Sequence, residues 1–136
     1  MDFYETLKSG ALCGKGGGEV DNLLTSIIEQ GAIDILSGEN VDNTIRLRTK
    51  DATELSAGDY TLFFTAAGTM YARGVRYAAD GSFIEAITGV GSAWLTAPVA
   101  FHAEAGQKFR FTFTIDPYST ADMQPSDLHN LIIVKD

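Results

Sequence analysis

A chain of 136 residues accommodates one domain of ordinary size with a short appendage. Its hydrophobic fraction of 45% suffices for a packed core, while a formal charge of −8 argues against nucleic acid and anionic lipid, both of which bind clustered Lys and Arg. The single cysteine, Cys13, makes no internal disulfide, and no apolar run reaches the length of a membrane span.

At the N-terminus, Phe3, Tyr4, Leu7 and Ala11 fall at helical spacing, which predicts a helical or extended leader with one apolar stripe. So short a helix is marginal alone, and its stripe calls for a partner surface. Acids at Asp2 and Glu5 and the lack of an apolar h-region argue against a secretory signal. The stretch "GALCGKGGGEV" that follows fails as a phosphate-binding loop. Gly10 and Gly14 are separated by three residues rather than four, and Gly16 stands where a hydroxyl residue would hold Mg²⁺. Gly14 to Gly18 therefore read as a tether. Residues 1–21 form the leader and residues 22–136 the domain, with a short helical or extended piece expected over Asn22 to Ile28.

Beyond it the apolar period becomes two. Ile33 and Ile35, then Ile45 and Leu47, alternate with Asp34, Arg46 and Arg48. Tyr60, Leu62 and Phe64 share one face of a strand, and Tyr71, Arg73, Val75 and Tyr77 one face of the next. Phe109, Phe111 and Phe113 mark the clearest strand, and "LIIVK" closes the chain. Asp80-Gly81 between two such runs predicts a hairpin on a two-residue type I′ turn. Short strands without long helices between them predict an all-β domain, an antiparallel β-sandwich or barrel. Its expected core includes Ile45, Leu47, Leu62, Phe64, Phe109, Phe111, Phe113, Ile132 and Val134.

The chemistry of the side chains favours binding over catalysis. His102 and His129 have no metal-ligand spacing, Cys13 sits in the leader without a fixed base, and no Gly-x-Ser-x-Gly elbow occurs, so no enzyme is expected. "SGENVDN" and "DPYSTAD" supply Glu39, Asn40, Asp42, Asp116 and Asp122, which permit a structural calcium ion without the spacing that requires one; no other cofactor is expected. Sugar recognition needs flat rings beside planar hydrogen-bonding groups. Trp94 in "GVGSAWLTAP", Tyr118 in "DPYSTAD", and Tyr71 with Arg73 on one strand face are the candidates for it. Arg46 and Arg48, by contrast, suit a structural role, as cross-strand partners of acids.

The segment "IIEQGAIDILSGENVDNTIRLRTK" resembles the opening of a β-sandwich module of tail, baseplate and fibre proteins of phages and prophages of Gram-positive bacteria. The matching positions are Glu29-Gln30-Gly31, Ser37 to Asn40, and Thr44 to Thr49 in the pattern T-x-R-I/L-R-T. "AGDYTLFF", "VRYAADGSFI" and "QPSDLHNLIIV" continue it, so that it spans residues 27 to 135, with Ile28 where the module usually has tryptophan. The leader "MDFYETLKSG…GGG" is similar to that of head-fibre-like and other virion appendage proteins. The resemblance implies a jelly-roll-like, carbohydrate-binding-module-type fold displayed on a virion, made in the bacterial cytoplasm without a signal peptide. The expected function is a non-enzymatic appendage that adsorbs to host-surface glycan, attached to other virion proteins through its leader and present as a homo-oligomer. The alternative is a decoration or assembly protein without a glycan ligand; a glycan-degrading accessory enzyme is the third reading.

Overall fold

The computed structural model describes residues 22–87, 94–115 and 120–136; the leader, with Cys13 and the glycine tether, lies outside the described residues. The fold is all-β and antiparallel. Alternation along β6 (Gly58–Thr65) turns Tyr60, Leu62 and Phe64 to one face, and β6 lies between β10 (Val99–Ala103) and β12 (His129–Lys135) in a three-stranded sheet. A seven-stranded sheet runs in the order β1 (Ile28–Gln30), β4 (Leu47–Thr49), β11 (Lys108–Thr114), β7 (Tyr71–Tyr77), β8 (Phe83–Ala86). Within it β5 (Thr53–Glu54) also pairs with β11, and β9 (Leu95–Thr96) with β7. The chain passes between these two sheets five times, after β5, β6, β9, β10 and β11. A separate hairpin joins β2 (Ala32–Ile33) to β3 (Asn40–Val41).

One apolar core draws on both larger sheets. Leu47, Ala72, Phe109, Phe111 and Phe113 of the seven-stranded sheet meet Tyr60, Leu62, Phe64, Val99, Phe101 and Ile133 of the three-stranded one. The aromatic rings cross this interface: Phe64 meets Phe113 edge-on at 5.4 Å, and Phe101 lies 5.0 Å from Phe109 and 5.5 Å from Phe111. Such geometries exploit the ring quadrupole in addition to the area they bury. A smaller cluster lies on the opposite face of the large sheet, where Ile33 packs with Val75 and Tyr77, flanked by Ile35 and Phe83. β11 is thus covered on both faces, and every residue from Phe109 to Thr114 is buried.

Three expectations need correction. Ile132 and Val134 are only half-buried, and Ile133 is the core residue of β12. A run of four apolar residues carries no alternation to reveal which face is which. A register irregularity between His129 and Ile132, with Asn130 at φ 55°, sets the parity that brings Ile133 opposite Leu62. Ile45 is also only half-buried, since β4 begins at Leu47 and the Ile45 amide is held in a turn by the Asn43 side chain. The β7–β8 hairpin, finally, is not on a type I′ turn, which needs positive φ at both central residues. Only Gly81 has it, at φ 89°, after a turn closed by the Gly81 amide donating to the Ala78 carbonyl. Asp80 instead accepts from the Ser82 amide and hydroxyl, and these bonds hold its carboxyl below the usual carboxylate range.

Phe111 is 1% exposed and touches the centre of the two-sheet core. Truncation to Ala removes a ring from close-packed surroundings and is expected to cost about 3–5 kcal/mol. Chemical denaturation checks this; an unchanged midpoint in Phe111→Ala would mean that the face is wrongly assigned.

Candidate functional site

The site is built from the outward face of the seven-stranded sheet. Tyr71 and Arg73, two residues apart on β7, project from the same side, opposite Thr114 and Thr112 of β11. β9 pairs Ala72 with Leu95 and Tyr71 with Thr96, so one further step of that register places Trp94 across from Arg73. The side chains meet there. The Arg73 guanidinium carbon lies 4.2 Å from the Trp94 ring centroid, and that of Arg46, just before β4, lies 5.5 Å from the same centroid. Trp94, Tyr71, Arg73 and Arg46 are all half-buried, and Trp94 is not among the residues that form either core cluster. Tyr118 lies outside the described residues.

Four arginines lie on or beside this face, and they are used differently. Arg48 donates from Nε to Glu29 at 2.7 Å and from Nη1 to the carbonyls of Ala32 and Val41. The expected cross-strand pairing of Arg48 with an acid is therefore present, since Glu29 is its direct partner across β1 and β4. Arg110 donates from Nε and Nη2 to the Thr49 carbonyl. Arg73 differs. Its Nε is shielded from water, yet it has no hydrogen-bond partner among the described residues. Burial, then the neighbouring Arg46 charge, lower the Arg73 pKa, and Asp34 of the β2–β3 connection partly offsets them.

A guanidinium stacked on an indole gains roughly 0.5–1 kcal/mol when exposed and more when desolvated. Stacking occupies the plane of the guanidinium and leaves its N–H donors, which radiate from the edge, for other partners. It also has a cost to sugar recognition: the Trp94 face covered by Arg73 does not stack on a pyranose. The signal for Arg46 was visible in the sequence only as an alternating Arg-x-Arg; which of the two arginines would reach Trp94 depends on a cross-strand register that spacing does not specify. Next to the cluster, a shallow depression of about 240 Å³ is lined by Phe64, Ala66, Met70 and Thr96, the last being the partner of Tyr71. Among the described residues, no group of three His, Cys, Asp or Glu is placed to hold a metal ion, and Asp116 lies outside them.

A second polar cluster lies on the exposed face of the three-stranded sheet. His102 contacts Asp59 through Nδ1 at 2.8 Å and Glu104 through Nε2 at 3.0 Å. Hydrogen bonds to Asp59 and then Glu104 raise the His102 pKa above 6.5. A raised folded-state pKa means that the contribution to stability is complete below the unfolded value and is lost as pH rises through the folded one. NMR titration should therefore give a midpoint above 6.5 that falls back toward it in Asp59→Asn. A midpoint at or below 6.5 in the wild type would show that these contacts are not held in solution.

Trp94 is the only tryptophan, so its fluorescence reports on the cluster alone. Two guanidinium groups beside the ring concentrate anions locally, and iodide should quench Trp94 better than caesium despite the net charge of −8. Arg73→Gln should reduce that preference. Equal or stronger quenching by caesium would show that the guanidinium groups are not held at the ring. In comparisons with known proteins, no family model and no curated protein matches this chain.

Proposed function

We propose that this protein is a non-enzymatic phage virion appendage whose domain, residues 22–136, is a jelly-roll-like β-sandwich that binds host-surface carbohydrate. The observation that carries the binding part is the meeting of Trp94 and Arg73, with Tyr71 on the same strand face, on a half-exposed surface turned away from the core. An indole and a phenol beside planar donors are the groups from which sugar subsites are built. The virion part rests on the resemblance of residues 27 to 135 to a tail, baseplate and fibre module. In this reading residues 1–21 attach the domain to other virion proteins, and display in several copies turns weak single contacts into firm adsorption.

The alternative is a decoration protein whose faces pack against copies of itself. Leu36, 83% exposed in the connection between β2 and β3, and Ile27, 65% exposed, are the features that favour it. A glycan array probed with the full chain separates the two. Carbohydrate binding predicts retention on at least one glycan, with Trp94→Ala weakening it about tenfold or more while the melting temperature stays within a few degrees, since a half-exposed ring outside the core contributes little to stability. The proposal fails if no glycan is retained, or if Trp94→Ala binds as the wild type does.

A further inference from the structure

The arginines on the outward face of the large sheet differ in how their donors are satisfied, and that difference names a class of ligand. Arg48 and Arg110 are buried, and both donate to carboxylate or carbonyl oxygens of their own chain. Arg73 is the exception: its guanidinium carbon lies over the Trp94 ring, 4.2 Å from the centroid, and its water-shielded Nε lacks an acceptor among the described residues. A desolvated donor without an acceptor is unfavourable, and more so on a charged group. Arg46 brings a second positive charge to the same ring, 5.5 Å from its centroid. Asp34 bears on Arg73 electrostatically but forms no ion pair with it among the described residues. Nε itself is as closed to a ligand as to water; the Nη groups of the same guanidinium are not shielded in this way and form no hydrogen bond with the described residues, so the capacity for an acceptor with negative charge, supplied from outside, lies there.

We infer that Arg73, with Arg46 beside it, receives an acidic substituent of a saccharide, a carboxylate or phosphate, while Trp94 holds the Arg73 guanidinium flat for that contact. This rests on the carbohydrate-binding reading above and gives it a substrate class: anionic rather than neutral glycan. The planar fork of arginine matches two oxygens of either group at once, which a lysine ammonium does not. Because Trp94 spends one face on Arg73, the charged contact takes over part of the role that ring stacking fills in a neutral-sugar site. The net charge of −8 works against any diffuse attraction of polyanions, so such binding has to be local.

The test uses the full chain against four probes: polygalacturonate, its fully methyl-esterified form, poly(glycerol phosphate) and dextran. Retention of polygalacturonate or poly(glycerol phosphate) at least about tenfold above the two neutral polymers is expected, with affinity falling as salt rises. Which of the two is retained distinguishes carboxylate from phosphate. Arg73→Gln should abolish the preference and Arg73→Lys should restore it only in part, with melting temperatures unchanged in both. Equal retention of the neutral polymers, or Arg73→Gln binding the anionic ones as the wild type does, overturns the inference and leaves carbohydrate binding standing. Retention of none of the four, together with a blank glycan array, overturns both.

Discussion

A buried guanidinium organises this fold. Arg48 leaves water, and a charge in that position has to be matched by acceptors of good geometry. Its three acceptors come from three successive pieces of chain: the Glu29 carboxylate on β1, the Ala32 carbonyl on β2 and the Val41 carbonyl on β3. Ala32 and Val41 are themselves paired, so the guanidinium grips the β2–β3 hairpin at a single rung and holds it against β4. Gly31 makes the approach possible. A Cβ there would lie 2.6 Å from the Arg48 guanidinium carbon, and its φ of 145° is one that side chains rarely adopt. The far end of the hairpin is secured by Tyr77, whose hydroxyl donates to the Gly38 carbonyl at 2.6 Å.

The consequence reaches the candidate site. With the hairpin fixed, Ile33 covers Val75 and Tyr77, and one end of the outward sheet face becomes a second apolar cluster. The other end keeps Arg73, Tyr71 and Trp94 half-exposed. Arg46 belongs to both stories. It is two residues from Arg48, so the strand that anchors the hairpin also delivers a positive charge to the Trp94 ring.

Period-two patterning made the strands legible, because the apolar side chains that face the core between the sheets alternate with mostly polar ones on the other face, even where, as in β11, both faces are buried. Tyr60, Leu62 and Phe64, or Phe109, Phe111 and Phe113, needed nothing more. It failed where that contrast disappears, in the continuous apolar run of β12, whose face depends on an irregularity around Asn130. The hairpin between β7 and β8 was legible and its turn was not, since Asp80-Gly81 suits either a two-residue turn or a type I turn followed by a left-handed glycine. At the site, alternation placed Tyr71 and Arg73 on one face, but the approach of Trp94 and Arg46 is a fact of strand pairing between distant segments. The composition hinted at none of it, because an acidic chain gives no sign of a local positive cluster.

All five arginines lie in or next to β4, β7 and β11, the middle of the large sheet, while the acids greatly outnumber the basic residues over the whole chain. At physiological ionic strength, charges more than about 8 Å apart in solvent are largely screened from one another. The net charge therefore governs how readily an anion approaches the molecule, and the nearest side chains govern whether it stays. At the Trp94 ring the neighbouring cations are Arg73 and Arg46, with Asp34 close enough to act on Arg73. Arginine suits this position better than lysine, because it stays charged when partly desolvated, as Arg73 is, and stacks on an indole without losing the donors at its edge. The same property lets Arg48 serve as a buried clamp two strands away, across β11, so one residue type, repeated along one sheet face, both fixes the scaffold and charges its surface.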